Sequence, residues 1–359
     1  YGLVGSEMCI RDSCNYGLNV RERLKAEINP MQYGTIVHYI LERFFREYSK
    51  EQYSVMDKDE LSKIFSTYIS EYAAAHFGEV QTKQNSFMYR IKLILENVLR
   101  LVKHTIDELT QSEFFVTDCE LKIGEDVPSY TVVLPDGHKI AVCGSVDRVD
   151  IMQKNGTTYL RVIDYKTGSK EFKLSDVLYG INLQMLLYLH SIEVSGSDRY
   201  GDIIPAGILY MPATVPYISS DSLKSIDKLP DELNKKLKMN GLLLKDTEII
   251  HGMDKTDAAT YIPVKIKAGE PVSSTSLATL EEFGKIFQKV DMLIAEMGKN
   301  IYNGNIEARP LKGGHDSCEY CPYDSVCAYR RSNPINCFSV DNKTVIEEIT
   351  NEINGKEEE

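Results

Sequence analysis

Apolar residues recur every three to four positions through the first third of the chain and then alternate with polar residues. The first spacing predicts amphipathic helices over Gln32 to Tyr48, Asp57 to Phe77 and Ser86 to Gln111. The alternation predicts strands over Phe115 to Ile123, Tyr130 to Leu134, Lys139 to Met152 and Thr157 to Lys166. A helix from Ser175 to Val194 and a further strand in IIPAGILYMPA follow. The expected fold class is therefore α/β, with a helical lead-in.

An acid and a base lie two residues apart where the last strand of the predicted hairpin ends, in RVIDYKTG. Asp164 and Lys166 share one strand face because successive side chains alternate. A surface ion pair is the simplest explanation. The preceding strand, however, carries Asp147, and the hairpin is expected to bring it close to Asp164. Two carboxylates suit Mg²⁺, and a neighbouring lysine can position an attacking water.

This arrangement of an Asp, a hairpin and Asp-x-Lys resembles the PD-(D/E)xK nuclease superfamily, and GSVDRVD with VIDYKTG is similar to its RecB-type branch. The resemblance implies a mixed central sheet flanked by helices, in the order αβββαβ. It also implies that Asp147 and Asp164 bind Mg²⁺ or Mn²⁺ while Lys166 orients the water. The chain is then expected to hydrolyse DNA phosphodiester bonds.

Three further residues match this branch. Gln184 and Tyr188 lie four residues apart in YGINLQMLLYLHSI and so share a helix face, from which they are expected to contact DNA or support Lys166. His38, in YGTIVHYILERFF, matches a histidine that reaches the metal from an N-terminal helix. A partly buried helix histidine is the alternative for His38 alone. Glu120, in FFVTDCELKIGE, is a further acidic candidate.

Cys318, Cys321 and Cys327 are spaced C-x2-C-x5-C. Thiolates this close predict a metal centre, either zinc or an iron-sulfur cluster, and both need a fourth ligand. A disulfide framework is not expected, because the chain is long and shows no secretory signal. Cys337 is a possible substitute ligand, while Cys119 and Cys143, in apolar strand text, are expected in the core.

The cysteines and the segments CNYGLNVRER, MNGLLLKDTEIIHGMD and YIPVKIKAGE are similar to the AddB/RexB-type subunit of bacterial ATP-dependent helicase-nucleases. That resemblance implies a [4Fe-4S] cluster with one earlier cysteine, an AddA-type partner subunit, and action on single-stranded DNA ends in double-strand break repair. Cys14 is the candidate fourth ligand, ahead of Cys9. The opening YGLVGSEMCIRDS resembles translated sequencing-adaptor sequence, so the native ligand is expected to be missing if Cys14 does not bind.

These assignments predict six segments along the chain. They are a non-native leader (1–13), a helical lead-in (14–114), the nuclease core (115–214), a family-specific insertion (215–275), a helix with the cysteine segment (276–340) and an acidic tail (341–359). The insertion is predicted to contain a lysine-rich solvated helix over Pro230 to Met239. A long helix is predicted over Ser276 to Asn300, and the acidic tail is expected to fray.

Charge and missing motifs limit the functional classes. The net charge of −12 argues against tight DNA binding by this chain alone, because most DNA-binding surfaces are basic. No apolar run is long enough for a membrane span, so a cytoplasmic protein is expected. No G-x-x-x-x-G-K-[ST] motif occurs, so unwinding is assigned to the partner. Two alternatives stay open, a stand-alone CRISPR-associated RecB-family nuclease and a non-catalytic DNA-binding or structural module.

Overall fold

The computed structural model describes residues 30–82, 85–168, 171–216, 229–256, 258–273, 275–305, 307–319, 321, 327 and 334–357. The predicted leader, Cys9 and Cys14 lie outside these described residues. None of the helices in the described ranges combines the length and apolar character that a membrane crossing requires.

The described part of the lead-in, from Pro30 onward, is helical, as predicted. It comprises α1 (Pro30–Glu47), α2 (Lys50–Tyr53), α3 (Lys58–Thr82) and α4 (Asn85–Gln111). Helix α1 buries Ile36, Ile40 and Phe44, which recur every four residues and so form one continuous apolar face. That face packs against α3, α4 and the neighbouring strands, which fixes α1 beside the sheet.

A six-stranded mixed sheet forms the centre of the fold. Its strands are β1 (Phe115–Ile123), β4 (Gly144–Lys154), β5 (Thr157–Lys166), β6 (Ile203–Pro212), β7 (Asn240–Leu244) and β10 (Leu277–Ala278), which lie side by side in this order. The β5–β6 and β7–β10 pairs are parallel, and the other pairs are antiparallel. The predicted mixed sheet with flanking helices is therefore confirmed. Strand β7 also shows that the segment expected to be an insertion contributes to the central sheet.

Smaller elements surround this sheet. Short two-stranded sheets are formed by β2 (Tyr130–Val133) with β3 (Lys139–Val142), β8 (Lys265–Lys267) with β9 (Glu270–Val272), and β11 (Leu311–Gly313) with β12 (Ile335–Cys337). The remaining helices are a 3₁₀ turn (Leu174–Tyr179), α5 (Gln184–Ser195), α6 (Ser197–Tyr200), α7 (Leu229–Leu237), α8 (Thr247–Met253), α9 (Leu280–Tyr302) and α10 (Asn342–Glu357).

Two predicted elements are interrupted. The strand expected from Lys139 to Met152 is divided at Cys143 into β3 and β4, which belong to different sheets. Cys143 is consequently exposed, so its predicted core position is wrong, whereas Cys119 is buried as expected. The helix expected from Ser175 is also divided, because the 3₁₀ turn ends at Gly180 in the left-handed conformation with φ 70°.

The C-terminal segment is a helix rather than a frayed tail. Helix α10 buries Val345 and Ile349, four residues apart, against α9 and the 3₁₀ turn. Lys289 of α9 also forms an ion pair with Glu352. The apolar stripe therefore outweighs the acidic composition that predicted disorder.

A histidine is held between α5 and α9. The ring of His190 stacks on Phe287 at 4.5 Å, with Nδ1 3.3 Å from Glu193 and Nε2 3.4 Å from Asp291. Burial alone would lower the pKa of His190, but hydrogen bonds to and charges on Asp291 and Glu193 raise it to about 9. The two carboxylates therefore favour the protonated form of this histidine.

Candidate active site

Asp147 lies where the pairing of β4 with β5 ends. The ladder reaches Arg148 opposite Ile163, and beyond it the Asp147 carboxylate accepts a hydrogen bond of 2.8 Å from the backbone N–H of Tyr165. Burial raises the pKa of Asp147 well above its ordinary value, the negative charge of Asp164 adds to this shift, and His38 opposes it. Such a carboxylate is stabilised as an anion by a neighbouring cation.

Asp164 and Lys166 occupy the same face at the end of β5, as the alternation predicts. Asp164 is buried, and Lys166 Nζ lies 2.5 Å from its Oδ2 atom. This oxygen is enclosed and accepts no further hydrogen bond within the described residues. The Lys166 ammonium is the cation that offsets the charge of this buried carboxylate.

His38 reaches the end of these strands from α1. Its Nδ1 atom is 3.5 Å from Asp147 Oδ2 and 3.7 Å from Glu120 Oε1, while Nε2 is 3.1 Å from the backbone oxygen of Tyr165. Burial lowers the pKa of His38, but contacts with Glu120, Asp147 and the Tyr165 carbonyl outweigh burial and raise it to about 9. An Nε2–H group donating to Tyr165 would leave Nδ1 free to bind a metal.

Glu120 completes this group from β1. Its Oε2 atom accepts a hydrogen bond of 2.8 Å from Ser145 Oγ, and the contact with His38 lowers the pKa of Glu120. Glu120 has φ 50°, a conformation that non-glycine residues rarely adopt within a strand. Among the described residues, His38, Glu120 and Asp147 are the only group of three or more His, Cys, Asp or Glu side chains whose ligand atoms lie within 4.8 Å of one another.

These donors fit a divalent cation. Carboxylate oxygens suit Mg²⁺ and Mn²⁺, and an imidazole is also accepted by Mn²⁺. The shared approach of His38 and Glu120 to Asp147 is the structural feature that agrees with such an ion.

Gln184 and Tyr188 lie on the first turns of α5, which packs against β5 and β6. Gln184 Nε2 donates a hydrogen bond of 3.1 Å to the Tyr188 hydroxyl. The Tyr188 ring lies over Gly144, where an added Cβ would be 2.6 Å from the ring and the hydroxyl. This contact brings the pair to the start of β4, three residues before Asp147, and their predicted roles toward DNA or Lys166 remain predictions.

The cysteine segment is a separate feature. Cys318, Cys321 and Cys327 are partly exposed, and Cys337 is buried at the end of β12. In the described part of the chain, no three of these cysteines bring their sulfur atoms within 4.8 Å of one another. The predicted fourth ligand, Cys14, lies outside the described residues.

Tyr165 is a residue that the sequence reasoning left without a role. Its side chain points away from Asp164 and Lys166, but its peptide groups bind both Asp147 and His38. The only sequence signal is its position between the two motif residues, because backbone groups carry no residue-specific pattern.

Comparison with known proteins agrees with this geometry. A match to the PD-(D/E)XK nuclease superfamily covers residues 13–328. Proteins named as one subunit of an ATP-dependent helicase/deoxyribonuclease are similar over most of the chain: that of Thermoanaerobacter sp. (strain X514) is 33% identical over 94% of this chain and 30% of its own length. The Clostridium acetobutylicum protein is 32% identical over 88% of this chain and 28% of its own length.

The expected similarity to a helicase-nuclease subunit is thereby confirmed, and the chain spans less than a third of the length of these curated relatives. The family match extends over both the lead-in helices that carry His38 and the strands that carry Asp147, Asp164 and Lys166. With the mixed sheet and the acid-base cluster at the end of its hairpin, this match shows that the chain belongs to the PD-(D/E)XK nuclease superfamily.

Proposed function

We propose that this chain is the DNA-cleaving portion of a helicase-nuclease subunit and hydrolyses phosphodiester bonds of single-stranded DNA ends with Mg²⁺ or Mn²⁺. The observation that supports this most strongly is the convergence of Asp147, Asp164 and Lys166 at one end of the β4–β5 hairpin, with His38 beside them. Carboxylates on adjacent strands with a nearby amine suit metal-assisted hydrolysis.

The side chains have distinct roles in this proposal. Asp147, Asp164 and His38 would hold the divalent cation, which when bound would polarise a phosphate oxygen and lower the pKa of a water. Lys166, whose ammonium group lies beside Asp164, would orient the attacking water and offset charge developing on the phosphate. Gln184 would fix the Tyr188 hydroxyl, and the pair would contact the DNA backbone or support Lys166.

The biological setting is proposed from the relatives. Their names describe part of an ATP-dependent helicase and deoxyribonuclease, which favours this setting over a stand-alone nuclease. We assign ATP-driven unwinding to an AddA-type partner, as the resemblance to AddB/RexB-type subunits implies, and assign the processing of DNA ends in the cytoplasm to the complex.

A [4Fe-4S] cluster bound by Cys318, Cys321, Cys327 and Cys14 is a further part of the proposal. It is supported by the C-x2-C-x5-C spacing and by the resemblance to AddB/RexB-type subunits. Iron and acid-labile sulfide in anaerobically purified protein, lost when Cys321 is replaced by Ser, would support it; iron-free protein with unchanged folding would contradict it.

The direct test is cleavage of end-labelled single-stranded DNA in Mg²⁺, in Mn²⁺ and in EDTA. Lys166→Ala is expected to lower the rate about 100-fold or more. Lys154→Ala is the matched control, because Lys154 ends β4 at the hairpin turn and pairs with the exposed Glu248. Metal-dependent cleavage that is lost only in Lys166→Ala supports the proposal. Absence of cleavage by the wild-type protein would favour a non-catalytic module.

A further inference from the structure

A buried network of four charged side chains lies behind the candidate site. Glu108, Arg148, Asp150 and Arg161 are all fully buried. Arg148 donates to both Asp150 oxygens, at 2.9 and 2.8 Å, and to Glu108 at 3.3 Å. Arg161 donates to Glu108 at 2.6 Å and to Asp150 at 3.0 Å. The network therefore contains two cations and two anions that share their partners.

Stability alone does not account for such a network. Removing charges from water is costly, and apolar side chains of similar volume often stabilise a core as well as a buried ion pair does. Arg161 Nη1 is also buried and has no hydrogen-bond partner among the described residues. Such a network is better explained by a need to hold side chains in fixed positions than by a gain in the stability of the fold.

Tyr165 connects the network to the site. Arg148 Nη1 donates to the Tyr165 hydroxyl at 3.3 Å. Arg148 and Tyr165 occupy the strand faces opposite those of Asp147 and Asp164, because side chains alternate along β4 and β5. The Tyr165 side chain is thus held on the inner face, while its N–H binds Asp147 and its carbonyl binds His38.

We propose that Arg148, fixed by Asp150 and Glu108, is a positioning residue that sets the Tyr165 peptide and thereby the placement of Asp147 and His38 for divalent-cation binding. This inference rests on the proposed function, in which those two side chains bind the ion. Residues that orient metal ligands commonly change metal affinity by about 10-fold to 100-fold when altered.

The test is Mn²⁺ binding to purified protein, measured by electron paramagnetic resonance of the free ion without any DNA present. Tyr165→Phe removes only the hydroxyl that Arg148 contacts, and is expected to weaken Mn²⁺ binding about 10-fold. Tyr68→Phe is the matched control, because Tyr68 is also buried and donates to a charged side chain, Glu47. Thermal unfolding of both variants shows whether their stabilities change equally.

The outcomes test the positioning role of Arg148 separately from the proposed nuclease activity. Weaker Mn²⁺ binding in Tyr165→Phe but not in Tyr68→Phe supports the inference, even if the protein cleaves no DNA and the nuclease proposal fails. Unchanged binding in Tyr165→Phe, or equal weakening in both variants, overturns the inference while leaving cleavage by the wild-type protein intact. If Tyr165→Phe does not fold, Arg148→Lys keeps the charge without the guanidinium geometry, and unchanged Mn²⁺ affinity in that variant overturns the inference. Wild-type protein that binds no Mn²⁺ overturns it as well.

Discussion

Replacing Glu108 by Gln removes one of the two anions of the buried network at almost constant volume. Glu108 accepts hydrogen bonds from both Arg148 and Arg161, so the substitution leaves two buried cations with Asp150 alone. Loss of one partner from a buried charge pair costs about 3–5 kcal/mol in the free energy of unfolding. Domains have only about 5–15 kcal/mol of stability, so the variant is expected to be close to its unfolding threshold.

Urea unfolding followed by circular dichroism measures this change, and a double variant makes the test specific to charge balance. Arg161→Met added to Glu108→Gln leaves the neutral pair of Arg148 and Asp150, so we expect the double variant to be less destabilised than the sum of the two single variants. Glu248→Gln breaks an exposed ion pair and is expected to change stability far less. Additive losses in the double variant, or equal losses in Glu108→Gln and Glu248→Gln, would refute the reasoning.

Three other substitutions and one pH change test separate parts of the structure. Because the folded-state pKa of His190 is raised to about 9 from its ordinary 6.5, the stabilisation by its two carboxylate neighbours is complete below pH 6.5 and lost as the pH rises through 9. Urea unfolding at the two pH values should show this loss in wild-type protein, and a much smaller one in Asp291→Asn. Gly144→Ala places a Cβ 2.6 Å from the Tyr188 ring, so DNA cleavage should slow on the order of 10-fold or more while the unfolding midpoint changes little. Ile349→Ala in the C-terminal helix should lower the free energy of unfolding by about 2–5 kcal/mol in urea titrations, and no loss would show that this helix is not part of the core.

Local patterns were sufficient for the hairpin and most helices. The strand from Thr157 to Lys166 has the predicted bounds because its polar turn and alternating residues act over short distances. The divided helix after Ser175 also had a local signal, since Gly180 favours the left-handed conformation at which the 3₁₀ turn ends. The C-terminal helix also had a local signal, the four-residue spacing of the apolar residues Val345 and Ile349.

Contacts between residues far apart in the sequence could not be predicted from local patterns. The apolar strand Asn240–Leu244 gives no indication that it pairs with β6, because that choice depends on residues thirty or more positions earlier. Glu108 looks like a surface residue of an amphipathic helix until the structure shows its two arginine partners. In the candidate site, residue types predicted Asp147, Asp164 and Lys166, whereas the contribution of Tyr165 comes from its peptide groups, which sequence does not distinguish.

The most direct test of the central claim is the single-turnover rate of single-stranded DNA cleavage in Mn²⁺ by wild-type protein and by Asp164→Asn. This variant keeps the shape of the buried side chain but removes the negative charge beside Lys166. We predict that the wild-type protein cleaves only with the metal and that Asp164→Asn is slower by about 100-fold or more. Cleavage by Asp164→Asn at the wild-type rate, with both proteins requiring Mn²⁺, would contradict the assignment of the active site to the end of this hairpin.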